Sequence, residues 1–247
     1  MALFTPAFSL SKINEGGWVN DPNDKGGETY RGIARNFNPK WNGWAVIDSM
    51  KKTGVIKKNY TDSKLDALAE PFYKDLYWNP IKGDQIANQD FANQFYDHTL
   101  SGLSRAISMV KAVLNKKFGY NLGESGTMDS NTLNAINEVN SKNLFNEYRI
   151  ARSDFFKYSA TQLKPSDSVY YDLFKRYNSS PNASNVAYIN GWLNRVNKYV
   201  YSGIEQVTEN VKNSKVTENV KKNPIITASI GILIILATYL IYKNIRK

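Results

Sequence analysis

The chain has 247 residues, with 32 lysines and arginines against 22 acidic residues, a net charge of +10, a single histidine and no cysteine. This excludes disulfides, thiolate chemistry and a histidine-rich metal centre, and no calcium-loop spacing supports a carboxylate-only site, so neither a metal nor a cofactor is expected. The positive balance suits an anionic partner such as nucleic acid, acidic lipid or a bacterial wall, but the basic residues are scattered rather than gathered on one helix, which argues against nucleic acid.

Met1 to Lys12 lacks the charged start and long apolar core of a secretory signal peptide. Residues 7 to 35 read as a short helix that gives way to a glycine-rich block. Its Asn20-Asp21-Pro22 and Gly26-Gly27 sequences predict a loop or small β-hairpin. Between Asn36 and Ile56, Trp41 and Trp44 stand among turn residues, which suggests short helices joined by loops. From Ser63 to Leu76, Leu65, Leu68, Phe72 and Leu76 fall on one helical face behind a cap at Asp62 or Ser63.

Phe91, Phe95, Leu103, Ile107, Val110 and Leu114 keep three- or four-residue steps apart from one gap at Thr99, predicting a long central helix. The same periodicity recurs from Leu144 to Tyr158 and from Ile189 to Val200. Between these, Lys164 to Ser184 is rich in proline, serine and asparagine around a short helix at Val169 to Tyr177. The fold class is therefore mainly α. A helical domain is divided into a first region, 1 to 90, and a second, 91 to 202, packed against it.

After Tyr201 the composition changes. The sequence Val207-Thr-Glu-Asn-Val-Lys212 recurs nine residues later as Val216 to Lys221, a polar repeat too thin in apolar residues for a core. Residues 203 to 223 read as a stalk. Ile225 to Tyr242 then gives eighteen consecutive uncharged residues, opened by Pro224 and closed by Lys243, Arg246 and Lys247. At 1.5 Å per residue a helix of that length covers about 27 Å, near the ~30 Å of a hydrocarbon core, so one transmembrane helix is expected with lipid as its partner. Lysines flank it on both sides, and its orientation stays open.

The chemistry concentrates near the start. Glu15, Asp21, Asp24 and Thr29 lie among five glycines within the nineteen residues from Glu15 to Ile33. Glycosidic cleavage needs a carboxylic acid to protonate the leaving oxygen and a second polar group to position water or steady the developing positive charge. Glycines let the backbone turn tightly and come close to a bulky polymer.

The stretch Glu15-Gly16-Gly17-Trp18-Val19-Asn20-Asp21-Pro22-Asn23-Asp24-Lys25-Gly26-Gly27-Glu28-Thr29-Tyr30-Arg31-Gly32-Ile33 resembles the signature of glycoside hydrolase family 108 at every fixed position. Phe72 to Asp84 and Phe95 to Gly102 resemble later segments of that family, and the similarity spans roughly residues 8 to 200. The resemblance implies a lysozyme-like helical domain with its loop or hairpin at the active site. It also implies hydrolysis of the β-1,4 bond between N-acetylmuramic acid and N-acetylglucosamine in bacterial peptidoglycan.

Under this resemblance Glu15 is the general acid, and Asp24 and Thr29 hold the second role, stabilising charge and holding water. Asp21 remains the alternative second carboxylate, although Asn-Asp-Pro is also a turn-bracing sequence. Trp18, Asn20, Tyr30 and Arg31 are candidate substrate contacts, and Trp41, Trp44, Tyr73 and Trp78 share the aromatic character that stacks on sugar rings. Further along, Asp97 and Ser101 are also candidate substrate contacts, standing where relatives carry an Asp-x-x-Val-Asn-x-Gly segment, with Leu100 and Ser101 replacing the valine and asparagine.

Gly123 to Ile136 resembles a peptidoglycan-binding helical motif, with Asp129 in place of the usual glycine. Asp129 or Ser130 would cap a helix that carries Leu133 and Ile136 into the core. The expected role is a phage or prophage lytic enzyme anchored in a virion membrane or the host inner membrane. A non-catalytic wall-binding scaffold and a lytic transglycosylase are the alternatives, and oligomeric state is not encoded in any pattern here.

Overall fold

A computed structural model of the chain describes residues 1 to 12, 16 to 22 and 24 to 203. Residues 1 to 205 group as one compact unit, and one apolar core runs through it from Ala2 to Phe174. The described part is mainly helical, as the periodicity predicts. Helix α1 (Phe4–Lys12) leads to three short strands, β1 (Val19–Asn20), β2 (Glu28–Tyr30) and β3 (Ile33–Ala34). Helices α2 (Gly43–Lys52) and α3 (Ser63–Tyr73) follow. The strands form an antiparallel sheet in chain order, with Thr29 opposite both Val19 and Ala34.

The helix starts follow the side chains available to satisfy the first free N–H groups. The Asp62 carboxylate accepts from the N–H of Lys64 and Leu65 at 2.8 and 3.1 Å and opens α3. After Tyr73 the chain winds through a wide turn, Lys74–Trp78, that buries Trp78 beneath Phe4 and Tyr96. Asn88 accepts from the N–H of Phe91 at 2.8 Å and opens α4 (Gln89–Thr99).

The single long helix expected through Thr99 is two helices. Helix α4 stops at Thr99, and α5 (Leu103–Phe118) begins after Gly102, whose φ of +148° is a backbone conformation that side-chain-bearing residues rarely adopt. The apolar periodicity continues across the break because both helices line the same core. Periodicity reports burial and cannot see a corner that preserves it.

Helix α6 (Ser130–Glu138) begins as its sequence implied. Asp129 accepts from the Thr132 N–H at 2.7 Å, and Leu133 and Ile136 are buried. The buried Lys111 ammonium lies 2.8 Å from the same carboxylate, which is thereby held down to a pKa of about 2. Helices α7 (Ser141–Ser159), α8 (Tyr171–Tyr177) and α9 (Val186–Asn197) complete the unit. Among the described residues no helix is long and apolar enough to cross a membrane, and the Ile225 to Tyr242 span and the stalk beyond Gly203 lie outside them.

Asp97 on α4 is 0% exposed. Its carboxylate is 2.8 Å from the guanidinium of Arg152 on α7 and 3.0 Å from that of Arg195 on α9. Arg152 also donates to the Gln94 carbonyl at 3.0 Å. Burial works to raise the Asp97 carboxyl, and the two guanidiniums outweigh it, so it titrates below the ordinary carboxylate range.

A carboxyl with a depressed folded-state pKa stabilises the fold above the unfolded value of about 3.9, and that contribution drains away as pH falls below it. Replacing Asp97 by alanine strands two guanidiniums, one of them fully buried. Urea denaturation at neutral pH should show a loss of about 3–5 kcal/mol, with the wild-type advantage over Asp97→Ala shrinking in acid.

Candidate functional site

The segment joining α1 to the sheet carries Glu15, which lies outside the described residues, as does Asn23. Immediately after Glu15 the chain passes under the Lys57 to Tyr60 loop. The Trp18 N–H donates to the Tyr60 carbonyl at 2.8 Å, and the Asn59 N–H donates to the Trp18 carbonyl at 2.7 Å. A Cβ on Gly17 would stand 2.3 Å from the Tyr60 oxygen and 2.4 Å from that of Asn59. Both are backbone atoms and neither can swing aside, so this glycine is needed for close approach as much as for turning.

The turn between β1 and β2 presents Asp21 and Asp24, both exposed. Asp24 braces this turn. Its N–H donates to the Asp21 carbonyl at 3.1 Å, its own carbonyl accepts from the Gly27 N–H at 2.9 Å, and its Oδ1 accepts from the Gly26 N–H at 2.8 Å. The Asp24 side chain and the Asp21 carbonyl thus both brace the turn.

Thr29 lies mid-strand on β2, half-buried, with its hydroxyl donating to the Gly27 carbonyl at 3.3 Å. Alternation along β2 puts Thr29 on the face opposite Glu28 and Tyr30. Asn20 is exposed at the end of β1, opposite Glu28. Trp18 is half-buried against the core, and its indole N–H has no partner.

Tyr30 and Arg31 anchor the sheet to α3. Tyr30 is 0% exposed, stacked on Trp41 at 5.9 Å, and its hydroxyl donates to Asp66 Oδ1 at 2.7 Å. Burial foremost, with the Asp66 carboxylate adding to it, pushes that phenol up to about 12. The Arg31 Nε lies 3.0 Å from the same Asp66 oxygen, and the Tyr73 hydroxyl donates to the Arg31 carbonyl.

Arg31 at φ +50° and Gly32 at φ +82° form a two-residue connection between the paired Tyr30 and Ile33, both in the left-handed region that tight hairpins use. The sequence signal for this turn is the lone Gly32, which with Arg31 separates Tyr30 from Ile33. The sequence does not single out Glu28, a buried carboxylate held 2.8 Å from Arg35 and 2.5 Å from Lys51, which ties the sheet to α2.

Two expected substrate contacts are buried: Asp97 is enclosed in the clasp of Arg152 and Arg195, and Tyr30 has no exposed surface. His98 is likewise buried, its Nδ1 2.7 Å from the Tyr148 hydroxyl, and desolvation holds the imidazole neutral. Ser101 is exposed at the α4–α5 corner.

Of the aromatic residues named for stacking, Trp41, Trp44, Tyr73 and Trp78 are core. Phe37, at 71%, is an exposed ring that the sequence did not single out. Phe37 borders a cleft of about 580 Å³ with Trp41, Leu68 and Phe72. An added Cβ on Gly26 would lie 3.2 Å from Asp24 Oδ1 and 3.6 Å from Phe37, so Gly26 packs between the two. Among the described residues no cluster of three or more acidic or histidine side chains could hold a metal ion.

The Gly17→Ala substitution should displace the segment that carries Glu15 while leaving the helical core folded. A shift of about 1 Å in a reacting group costs on the order of 100-fold in rate. Far-ultraviolet dichroism should stay near wild type while catalytic turnover falls by that order, and unimpaired turnover would show that the close approach at Gly17 does not position the site.

No curated protein matches this chain. Among solved structures it is similar to one described as "Structure of Brucella abortus SagA", at 20% identity and a TM-score of 0.44, over 81% of this chain and 98% of that one. Residues 12–101 match the family model described as Glycosyl hydrolase 108, a stretch running from the end of α1 through the sheet to the corner after α4. On that match this chain is a glycoside hydrolase.

Proposed function

We propose that the chain is a peptidoglycan hydrolase that cleaves the β-1,4 bond between N-acetylmuramic acid and N-acetylglucosamine. The observation that supports this reading is the match of residues 12–101 to a glycoside hydrolase family, with Asp21 and Asp24 exposed on one turn inside that stretch. In this scheme Glu15 protonates the bridging oxygen, one of the two aspartates steadies the positive charge that develops at the sugar, and Thr29 orients the attacking water. Asn20, exposed beside the same turn, is placed to contact a glycan hydroxyl. Phe37 supplies an apolar ring against the C–H face of a sugar.

Substituting Glu15 by glutamine keeps the size and removes the proton. Clearing of purified cell walls should be lost, with new reducing ends disappearing from the mass spectrum of the products, and persistent clearing would refute the assignment. Asp24→Asn and Asp21→Asn, run in the same assay, identify the second carboxylate as the one whose loss costs about 10²–10⁴-fold. Anhydro-muramic ends from the wild type would mark a transglycosylase instead, and intact glycan would mark a scaffold.

The second part of the reading is a C-terminal anchor. The eighteen uncharged residues from Ile225 to Tyr242, preceded by a polar repeat, suit a tether that holds the enzyme off a bilayer, as in a phage lytic enzyme carried in a virion membrane or the host inner membrane. The full chain should sediment with membranes through alkaline washing and be released by detergent, whereas a chain ending at Asn223 should stay in the supernatant. Recovery of the full chain in the supernatant would remove the anchor.

A further inference from the structure

A second cavity, of about 500 Å³, opens behind the α4–α5 corner, between the ends of α7 and α8 and the flank of α9. Its distinctive feature is Arg105, in the first turn of α5. The guanidinium lies 4.9 Å over the Phe155 ring, it donates to the Ser101 carbonyl, and its Nε is buried without a partner. No carboxylate among the described residues lies within ion-pairing distance of it.

Burial accordingly lowers its pKa from the ordinary arginine value, with only tyrosines acting against that. A half-buried cation with no counter-ion among the described residues is costly, and folds seldom keep one unless something binds there. Gly102 makes this placement possible. At φ +148° it turns the corner, and an added Cβ there would come within 3.0 Å of the Arg105 guanidinium.

The remaining walls define what would fill the space. Phe155, Phe156 and Trp192 form an apolar side, Trp192 packing 5.3 Å from Phe156. Asn178 and Asn185 border the cavity while their amide groups hold Ser159. Arg195 on the opposite wall grips Asp97 through Nε. One dedicated guanidinium with an apolar flank suits a monoanion on a small amide-bearing ligand, since guanidinium and carboxylate pair through two parallel hydrogen bonds.

Lys198, one turn beyond Arg195, donates to the Leu10 carbonyl at 3.0 Å near the end of α1, five residues before Glu15.

We propose that this cavity is a carboxylate-binding subsite that takes the terminal carboxylate of a short peptide through Arg105, with the peptide's aliphatic side chain against Phe155 and Trp192. The identity of that peptide as a stem peptide of the wall polymer rests on the hydrolase reading above. The subsite would direct the enzyme to glycan that carries peptides and slow it on bare glycan.

The probes are N-acetyl-D-alanyl-D-alanine, its C-terminal amide and inorganic phosphate, each titrated against the full chain by the Trp192 indole N–H resonance. The free acid should shift that resonance saturably, and both amidation of the probe and Arg105→Gln should weaken binding by about tenfold. Without ligand, Arg105→Gln should melt no lower than wild type, because it removes an uncompensated charge. A melting point several degrees lower would mark a structural arginine.

Equal affinity for acid and amide, or an undiminished response in Arg105→Gln, would overturn the proposal. Tighter binding of phosphate would reassign the pocket to a phosphate polymer. In hydrolysis, the ratio of kcat/KM on peptide-bearing walls to that on peptide-stripped walls should fall in Arg105→Gln, and an unchanged ratio counts against the subsite. Loss of cleavage on both substrates with peptide binding intact would sink the hydrolase reading and spare the pocket.

Discussion

Asp97 bridges three helices through one carboxylate, and the helical half of the molecule is arranged around that contact. Removing a carboxylate and a guanidinium from water costs several kcal/mol per ion, recovered only when geometry and hydrogen bonds are good. Here two arginines from α7 and α9 converge on α4 at 2.8 and 3.0 Å, and Arg152 spends another N–H on the Gln94 carbonyl. The contact also sets the environment of the next residue. His98, under the field of the neighbouring arginines and shut away from water, stays neutral and serves as a partner for Tyr148 rather than as an acid.

The sheet is held by different means. Strands of two or three residues have no independent stability. Their rigidity comes from the residues fixed on either side: Tyr30 stacked on Trp41 and bonded to Asp66, Glu28 paired with Arg35 and Lys51, and Trp18 paired with Tyr60 across Gly17. Packing thus immobilises the ends of the segment while its acidic turn faces solvent. Chemistry on an exposed turn needs that arrangement, because the reacting groups must be positioned closely without being covered.

These different origins explain what the sequence made legible. Helices α3, α6, α7 and α9 were readable because each pairs a strong apolar stripe with a capping residue or a defined stop, and Asp62 and Asp129 cap where their positions implied. The hairpin region was readable from its glycines and Asn-Asp-Pro. The corner at Gly102 was not, since both helices bury the same kind of face and a lone glycine in a helical pattern is ambiguous.

Site residues were legible in proportion to how local their role is. Asp24 and Gly17 act on atoms close in the chain or on a backbone crossing, and the signature marks them. Asp97 lay in a segment similar to that of relatives, yet its partners are 55 and 98 residues away, and only the tertiary structure shows that its carboxylate is already occupied. Phe37 and Arg105 belong to no local pattern. Their importance depends on exposure in one case and on a missing partner in the other.

Asp97 and Arg105 pose the same electrostatic problem with opposite outcomes a short distance apart. Asp97 is fully buried and Arg105 half-buried near the α4–α5 corner, but among the described residues Asp97 is supplied with two opposite charges and Arg105 with none. The fold supports Arg105 by weaker means, an aromatic face and a backbone carbonyl, which orient a guanidinium without neutralising it. A mutation that merely improved stability would replace it with an apolar residue to extend the Phe155 wall. Keeping an oriented, uncompensated cation at the mouth of a cavity makes physical sense when the missing negative charge arrives with a ligand, and the binding energy then includes the relief of a cost already built into the free protein.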